Sequence, residues 1–152
     1  MFSFLRKKKN RFFSPEEQAL IVASIREAER RTSGEVRVYV ESRCSYMDAL
    51  DRAVELFKEM GMEATAQRNG VLVYVAIRDH QLAVLGDAGI HEKVGTEYWD
   101  KEVMKMVMAF NRDNYAEGIV RCVTDIGMAL KEHFPYQADD RNELPDDIEF
   151  GR

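Results

Sequence analysis

Arg68-Asn69-Gly70-Val71-Leu72-Val73-Tyr74-Val75-Ala76-Ile77-Arg78-Asp79-His80-Gln81-Leu82-Ala83-Val84-Leu85-Gly86-Asp87-Ala88-Gly89-Ile90 is the stretch whose reading decides the fold. Two apolar, β-branched runs flank the polar turn Arg78-Asp79-His80, the pattern of a hairpin in the centre of a sheet. Asn69-Gly70 and Gly86-Asp87-Ala88-Gly89 close its outer ends. Those ends lie side by side in a hairpin, so a carboxylate, an amide and backbone groups should converge at one edge of the sheet.

Outward from the hairpin, Val36, Val38 and Val40 alternate with Glu35, Arg37, Tyr39 and Glu41, which predicts a half-buried strand. Ahead of it, Ser14-Pro15-Glu16-Glu17 is a helix start: Ser14 caps, Pro15 suits the first helical position and Glu17 completes a capping box. Leu20, Ile21, Ser24, Ile25 and Ala28 give this helix one apolar face, and Thr32-Ser33-Gly34 breaks it. A second helix is predicted over about residues 46–60 through Leu50, Ala53, Val54 and Phe57, stopped by Gly61. A third starts near Glu97 and carries Trp99, Val103, Met106 and Phe110. A fourth starts near Tyr115 and carries Ile119, Val120, Val123, Ile126 and Leu130 as far as Pro135.

The predicted order is α-β-α-β-β-α-α. Two strands joined by a helix should pair in parallel through a right-handed crossover, and the third returns antiparallel. The fold class is therefore α/β, a mixed sheet sandwiched by helices on both faces. The start of the first strand (Gly34, Glu35), the start of the second (Asn69, Gly70) and the end of the third (Gly86, Asp87) then share one edge. Arg78-Asp79-His80 falls at the opposite edge, near Ser42.

At 152 residues the chain suits one domain over 14–136, with a basic tail over 1–13 and an acidic tail over 137–152. Glu143-Leu144-Pro145 offers the acidic tail a docking anchor. The first 13 residues lack the charge order of a signal peptide, and no segment approaches a membrane span, so a cytoplasmic protein is expected. Phe beside Lys and Arg in that tail suits at most a weak peripheral contact with an anionic membrane surface. A net charge of −5 argues against a general nucleic-acid binder and favours cations or basic partners. Cys44 and Cys122 form no thiolate zinc motif and no redox CxxC; two free buried thiols are expected, with a disulfide as the alternative.

Glu35, Asn69 and Asp87, with Glu92 just beyond, make the first edge rich in oxygen. Hard cations such as Ca²⁺ need several carboxylate, amide and carbonyl oxygens, whereas the same residues also serve as ordinary turn and cap residues. Asp113, in Arg112-Asp113-Asn114 before the last helix, is a further candidate if that loop folds back. His91-Glu92-Lys93-Val94-Gly95 opens like a zinc-protease motif, but Gly95 replaces its second histidine. Asp139-Asp140-Arg141-Asn142 fails as a calcium loop because Pro145 stands where the turning glycine belongs. Tyr98 with Trp99, and the Met104, Met106 and Met108 series, read as core and rim rather than as a ligand platform.

Thr32-Ser33-Gly34-Glu35-Val36, Asn69-Gly70-Val71-Leu72, Arg78-Asp79-His80, Gly86-Asp87 and Tyr115-Ala116-Glu117-Gly118-Ile119, in this order and spacing, resemble the TPM domain family. That family includes a thylakoid photosystem II repair protein and a nematode acetylcholine-receptor auxiliary protein. The chain looks like a short, soluble, bacterial subgroup, without the usual signal peptide and C-terminal membrane helix. The resemblance implies a sheet between helices, binding of divalent cations and, for some members, a weak acid-phosphatase activity. Two functions follow as expectations. One is an interaction or assembly module that binds Ca²⁺ or Mg²⁺ at Asp87 and Asn69, with Glu35, Glu92 and Asp113 as further ligands, and contacts an unidentified protein. The other is a metal-dependent phosphomonoester hydrolase.

Overall fold

Ser14 closes the first helix as its sequence requires: its hydroxyl accepts from Glu17 N–H at 3.1 Å, and its own N–H donates to the Glu17 carboxylate at 2.9 Å. The computed structural model describes residues 12–136 and 148–151, and over these the order is longer than predicted. Helix α1 (Pro15–Arg30) leads to strand β1 (Glu35–Glu41), then to helix α2 (Ala49–Glu59). Tyr46 takes a left-handed φ of 70°, and Asp48 caps α2 by accepting from Asp51 N–H, so this helix starts later than its apolar spacing alone suggests. After Gly61 and a 3₁₀ turn (Met62–Ala64) come β2 (Gly70–Ala76) and β3 (Gln81–Gly86). Three helices follow, α3 (Ala88–Val94), α4 (Thr96–Phe110) and α5 (Tyr115–His133), and then a short strand, β4 (Ile148–Phe150).

The four strands form an open mixed sheet in the order β3-β2-β1-β4. β1 and β2 are parallel, with Glu35 opposite Gly70 and Glu41 opposite Ala76; β2 and β3 are antiparallel, with Val71 opposite Gly86. The predicted class, crossover pairing and hairpin are all present. The hairpin is not central, however: β2 is interior, with all seven residues buried, while β3 is an edge. β4 lies in the stretch that composition places in an acidic tail, and residues 137–147, with Glu143-Leu144-Pro145, lie outside the described residues.

Val36, Val38, Val40, Val71, Val73 and Val75 face one helical layer, where Ile21 and Ile25 of α1 meet Met106 of α4 and Ile119, Val123 and Leu130 of α5. Leu72, Tyr74 and Ala83 face the other, against Ala53, Leu56 and Phe57 of α2 and Met62. Cys122 belongs to the first layer and Cys44 to the second; both are free and the sheet stands between them.

β1 is not half-buried. Glu35, Arg37 and Glu41 are all buried: β2 and β4 flank the strand on both sides, and Arg52 reaches over Glu41 from α2. A buried charge is tolerated only when paired. Arg37 meets Glu149 at 3.3 Å. Glu41 accepts from Arg52 at 2.9 and 3.2 Å and from the Tyr74 hydroxyl at 2.5 Å. Burial, and then this bond to Glu41, push the Tyr74 phenol far above its ordinary range.

A second buried carboxylate joins α4 to α5. Glu102 is covered between the helices, Lys105 reaching it at 3.3 Å and Asp125 at 3.0 Å. Burial, and then the charge of Asp125, push Glu102 up to about 7 against the pull of Lys105. A carboxyl raised in this way holds a proton that the unfolded chain has already released. Stability is therefore lost as pH rises from about 4.5 towards 7. Glu102→Gln removes the ionisation. In urea unfolding the variant should match the parent at pH 4.5 and exceed it at pH 8 by roughly 1–3 kcal/mol. Parallel pH profiles for the two proteins would refute the assignment.

Candidate functional site

Strand register brings the three glycine-flanked strand ends together, as predicted. Asp87 follows β3 and donates its N–H to Gly70 C=O at 2.9 Å; Asn69 C=O accepts from Glu35 N–H at 3.4 Å. The Asp87 side chain does two things there. Its Oδ1 accepts from Ala88 N–H at 2.7 Å, which caps α3. Both of its oxygens take the Arg68 guanidinium, Nε to Oδ2 at 2.6 Å and Nη2 to Oδ1 at 2.7 Å. Asp87 is buried while Arg68 stays half-exposed, its guanidinium held more firmly protonated by the bond to Asp87.

The Arg68 backbone completes the arrangement. In a left-handed conformation, φ 53°, it turns its carbonyl to the start of α3, accepting from Gly89 N–H at 2.8 Å and Ile90 N–H at 3.4 Å. That approach requires Gly89: a Cβ there would lie 2.1 Å from Gln67 O and 2.7 Å from Arg68 O. The sequence Gly86-Asp87-Ala88-Gly89 thus starts a helix too short to reveal itself by periodicity.

The candidate ligands do not meet in one pocket. Glu35 and Asp87 both stand opposite Gly70, hence on one face but two strand spacings apart, about 10 Å between Cα atoms. Met62 packs over Gly70 between them. Asn69 is buried; its Nδ2 donates to Ser33 Oγ at 3.2 Å, and its Oδ1 is enclosed without a hydrogen-bond partner. Glu92 is exposed on α3. Asp113 is exposed at the N-terminal end of α5, whereas Leu130, near the other end, packs on Gly34. At 1.5 Å per residue the two ends stand about 22 Å apart, so the loop does not fold back. Among the described residues no three His, Cys, Asp or Glu side chains are grouped to hold a metal.

At the opposite end, Arg78 N–H bonds Ser42 C=O at 2.8 Å, where the topology places it. Asp79 accepts from Cys44 N–H at 2.7 Å and lies 3.5 Å from Arg43, so the polar turn anchors the β1–α2 loop. His91 lies in α3, and its Nδ1 accepts from the Trp99 indole at 3.0 Å. Arg68 is the residue of this junction that spacing overlooks. Its one signal in the sequence is a cation beside the candidate ligand Asn69, at the strand end that the topology brings to Asp87.

An ion-paired aspartate tying two strand ends to a short helix, on an open mixed sheet between helical layers, defines a small α/β sandwich. The chain belongs to the TPM domain family, which it matches over residues 7–129. Among solved structures it is similar to the BA42 protein of the psychrophilic bacterium Bizionia argentinensis, at 40% identity and TM-score 0.85, covering 95% of this chain and 99% of that one. The N-terminal domain of a P. gingivalis protein shares the fold at 19% identity and TM-score 0.67, covering 84% of this chain and 83% of that one. The N-terminal domain of the cg2496 protein of Corynebacterium glutamicum does so at 13% and 0.64, covering 86% and 84%. No curated protein matches the chain. Among the described residues no helix is long and apolar enough to cross a membrane.

Gly89→Ala should cost about 3 kcal/mol in denaturant unfolding, since the clash is with backbone that cannot swing aside. Glu92→Ala, an exposed change on the same helix, should stay within about 0.5 kcal/mol. Equal costs at the two positions would remove the role given to the close approach.

Proposed function

We propose that this chain is a non-enzymatic, cytoplasmic interaction module whose Asp87 end takes up Ca²⁺ or Mg²⁺. The observation that carries this reading is a buried carboxylate that turns both oxygens to one exchangeable cation, the half-exposed Arg68 guanidinium. A divalent ion would take the place of that guanidinium. The enclosed Oδ1 of Asn69 is a second oxygen at the same end, and Glu35 is the nearest further carboxylate. Hard cations want six to eight oxygens, so water must supply much of the shell and the affinity should be weak, on the order of millimolar. Asp113 is too far to join it. The alternative, a metal-assisted phosphomonoester hydrolase, needs a metal with an open position beside a free carboxylate. With Asp87 and Asn69 as its nearest protein ligands and water filling much of the shell, an ion here is held too loosely to fix a phosphoryl group, which favours the binding module. The net charge of −5 disfavours nucleic acid as the partner and favours a protein with basic groups.

The test is a Ca²⁺ and Mg²⁺ titration of ¹⁵N-labelled protein beside Arg68→Ala and Asp87→Asn. Saturable amide shifts should fall on Asn69, Gly70 and residues 86–92. They should saturate at lower cation in Arg68→Ala, where the competitor is gone, and vanish in Asp87→Asn, whose amide still caps α3. The melting temperature should rise with cation in step with RT ln(1 + [L]/Kd). Unchanged affinity in Arg68→Ala would remove the cation from this end of the sheet.

A further inference from the structure

The two edges of the sheet are finished differently. β4 is three residues long, carries Glu149 paired with Arg37, and has Phe12 and Phe13 packed on Phe150 at ring distances of 6.4 and 6.5 Å. β3 is six residues long, Gln81-Leu82-Ala83-Val84-Leu85-Gly86, with no charge, no proline and an unbroken register against β2. Proteins normally blunt a free edge with charge, proline, a bulge or a cover, because an open row of N–H and C=O groups recruits another strand. Among the described residues β3 has none of these.

The outward groups can be named. Asp87 N–H bonds Gly70 C=O, so in antiparallel alternation Leu85, Ala83 and Gln81 exchange bonds with β2. Leu82, Val84 and Gly86 turn theirs to the open side. A cavity of about 300 Å³ runs along this edge, lined by residues 82–86, by Leu50 of α2 on one face and by Trp99 and Val103 of α4 on the other. Leu50 is 52% exposed there, a large apolar side chain without cover. Among the described residues Asp100 is the only carboxylate in the lining, which holds no lysine or arginine.

We propose that the β3 edge docks an extended peptide segment of a partner protein, which adds to the sheet as a fifth strand. Its backbone would bond Leu82, Val84 and Gly86. Alternate apolar side chains would enter the cavity on the Leu50 side and the Trp99 side, and a lysine or arginine would meet Asp100. A second copy of this chain fits poorly. α4 packs on β3, with the Trp99 ring seated where a Gly86 Cβ would be. Pairing two β3 strands at a spacing of about 4.8 Å would drive two α4 helices inside the 8–10 Å that packed helices need. A lone strand carries no such helix. This inference rests on the interaction half of the proposed function and not on its cation half.

The test pans a phage-displayed random heptapeptide library on the full chain and titrates the enriched peptide into ¹⁵N-labelled protein. Selected sequences should alternate apolar residues and carry a lysine or arginine. Shifts should centre on the amides of Leu82, Val84 and Gly86 and on the Trp99 indole. Val84→Pro removes an outward N–H that β2 does not use, and should weaken binding at least tenfold. Should that variant unfold, Asp100→Lys, a surface change, decides the matter by turning the selection towards acidic peptides. No enrichment, or an unchanged charge preference in Asp100→Lys, would overturn the proposal. So would edge shifts that appear when the protein alone is concentrated, since the occupant is then a second copy. Protection of these amides that is lost on deleting residues 1–11 would overturn it as well, by making the chain its own occupant. A peptide that binds another face overturns the edge and leaves the interaction module standing. A failed cation titration leaves this test untouched.

Discussion

Arg68 and Asp87 meet where three pieces of backbone end. β2 begins one residue past Asn69, β3 ends at Gly86 and α3 begins at Ala88, and the ion pair spans all three. Its geometry is bidentate, so it fixes the guanidinium plane as well as its distance. Because the Arg68 carbonyl also receives the first free N–H groups of α3, side chain and main chain of one residue hold the same helix from two directions. The direction in which the chain leaves the sheet towards α4 and α5 depends on this junction.

The second organising constraint is the polar face of β1. A strand flanked on both sides cannot keep Arg37 and Glu41 wet, so their partners come from other elements. Arg52 arrives from α2 and Glu149 from β4. Such pairs add little net stability, since desolvation consumes most of their attraction, but removing either partner leaves a buried charge. They act as register marks that tie α2 and β4 to one position along β1.

Much of the fold was legible because its signals are local. Ser14-Pro15-Glu16-Glu17 describes a helix start by itself, Gly61 a stop, and the apolar runs around Arg78-Asp79-His80 a hairpin. What escaped depends on distant partners. β4 is three residues whose strand character comes from Val38 and Val40, and α3 is two turns that Asp87 caps and that the distant Arg68 carbonyl holds through Gly89 and Ile90. Alternation in β1 gave the correct faces and the wrong solvent exposure, because exposure is decided by what covers a strand. The convergence of Gly34, Asn69 and Asp87 followed from topology alone. Whether their oxygens point at a common centre did not, because that depends on side-chain choices such as Asp87 turning to Arg68.

The pairing of β1 with β4 joins residues more than a hundred positions apart, while β2 and β3 are joined by a turn. Loop closure makes the distant pairing slow to form and the hairpin quick. During synthesis β1, β2 and β3 are all available long before residue 148 emerges. Until then the outer side of β1 is itself a naked edge, and Phe12 and Phe13 lack the ring they finally pack against. Among the described residues the sheet that can form before residue 148 is made has only the three strands β3-β2-β1, and β4 completes its order.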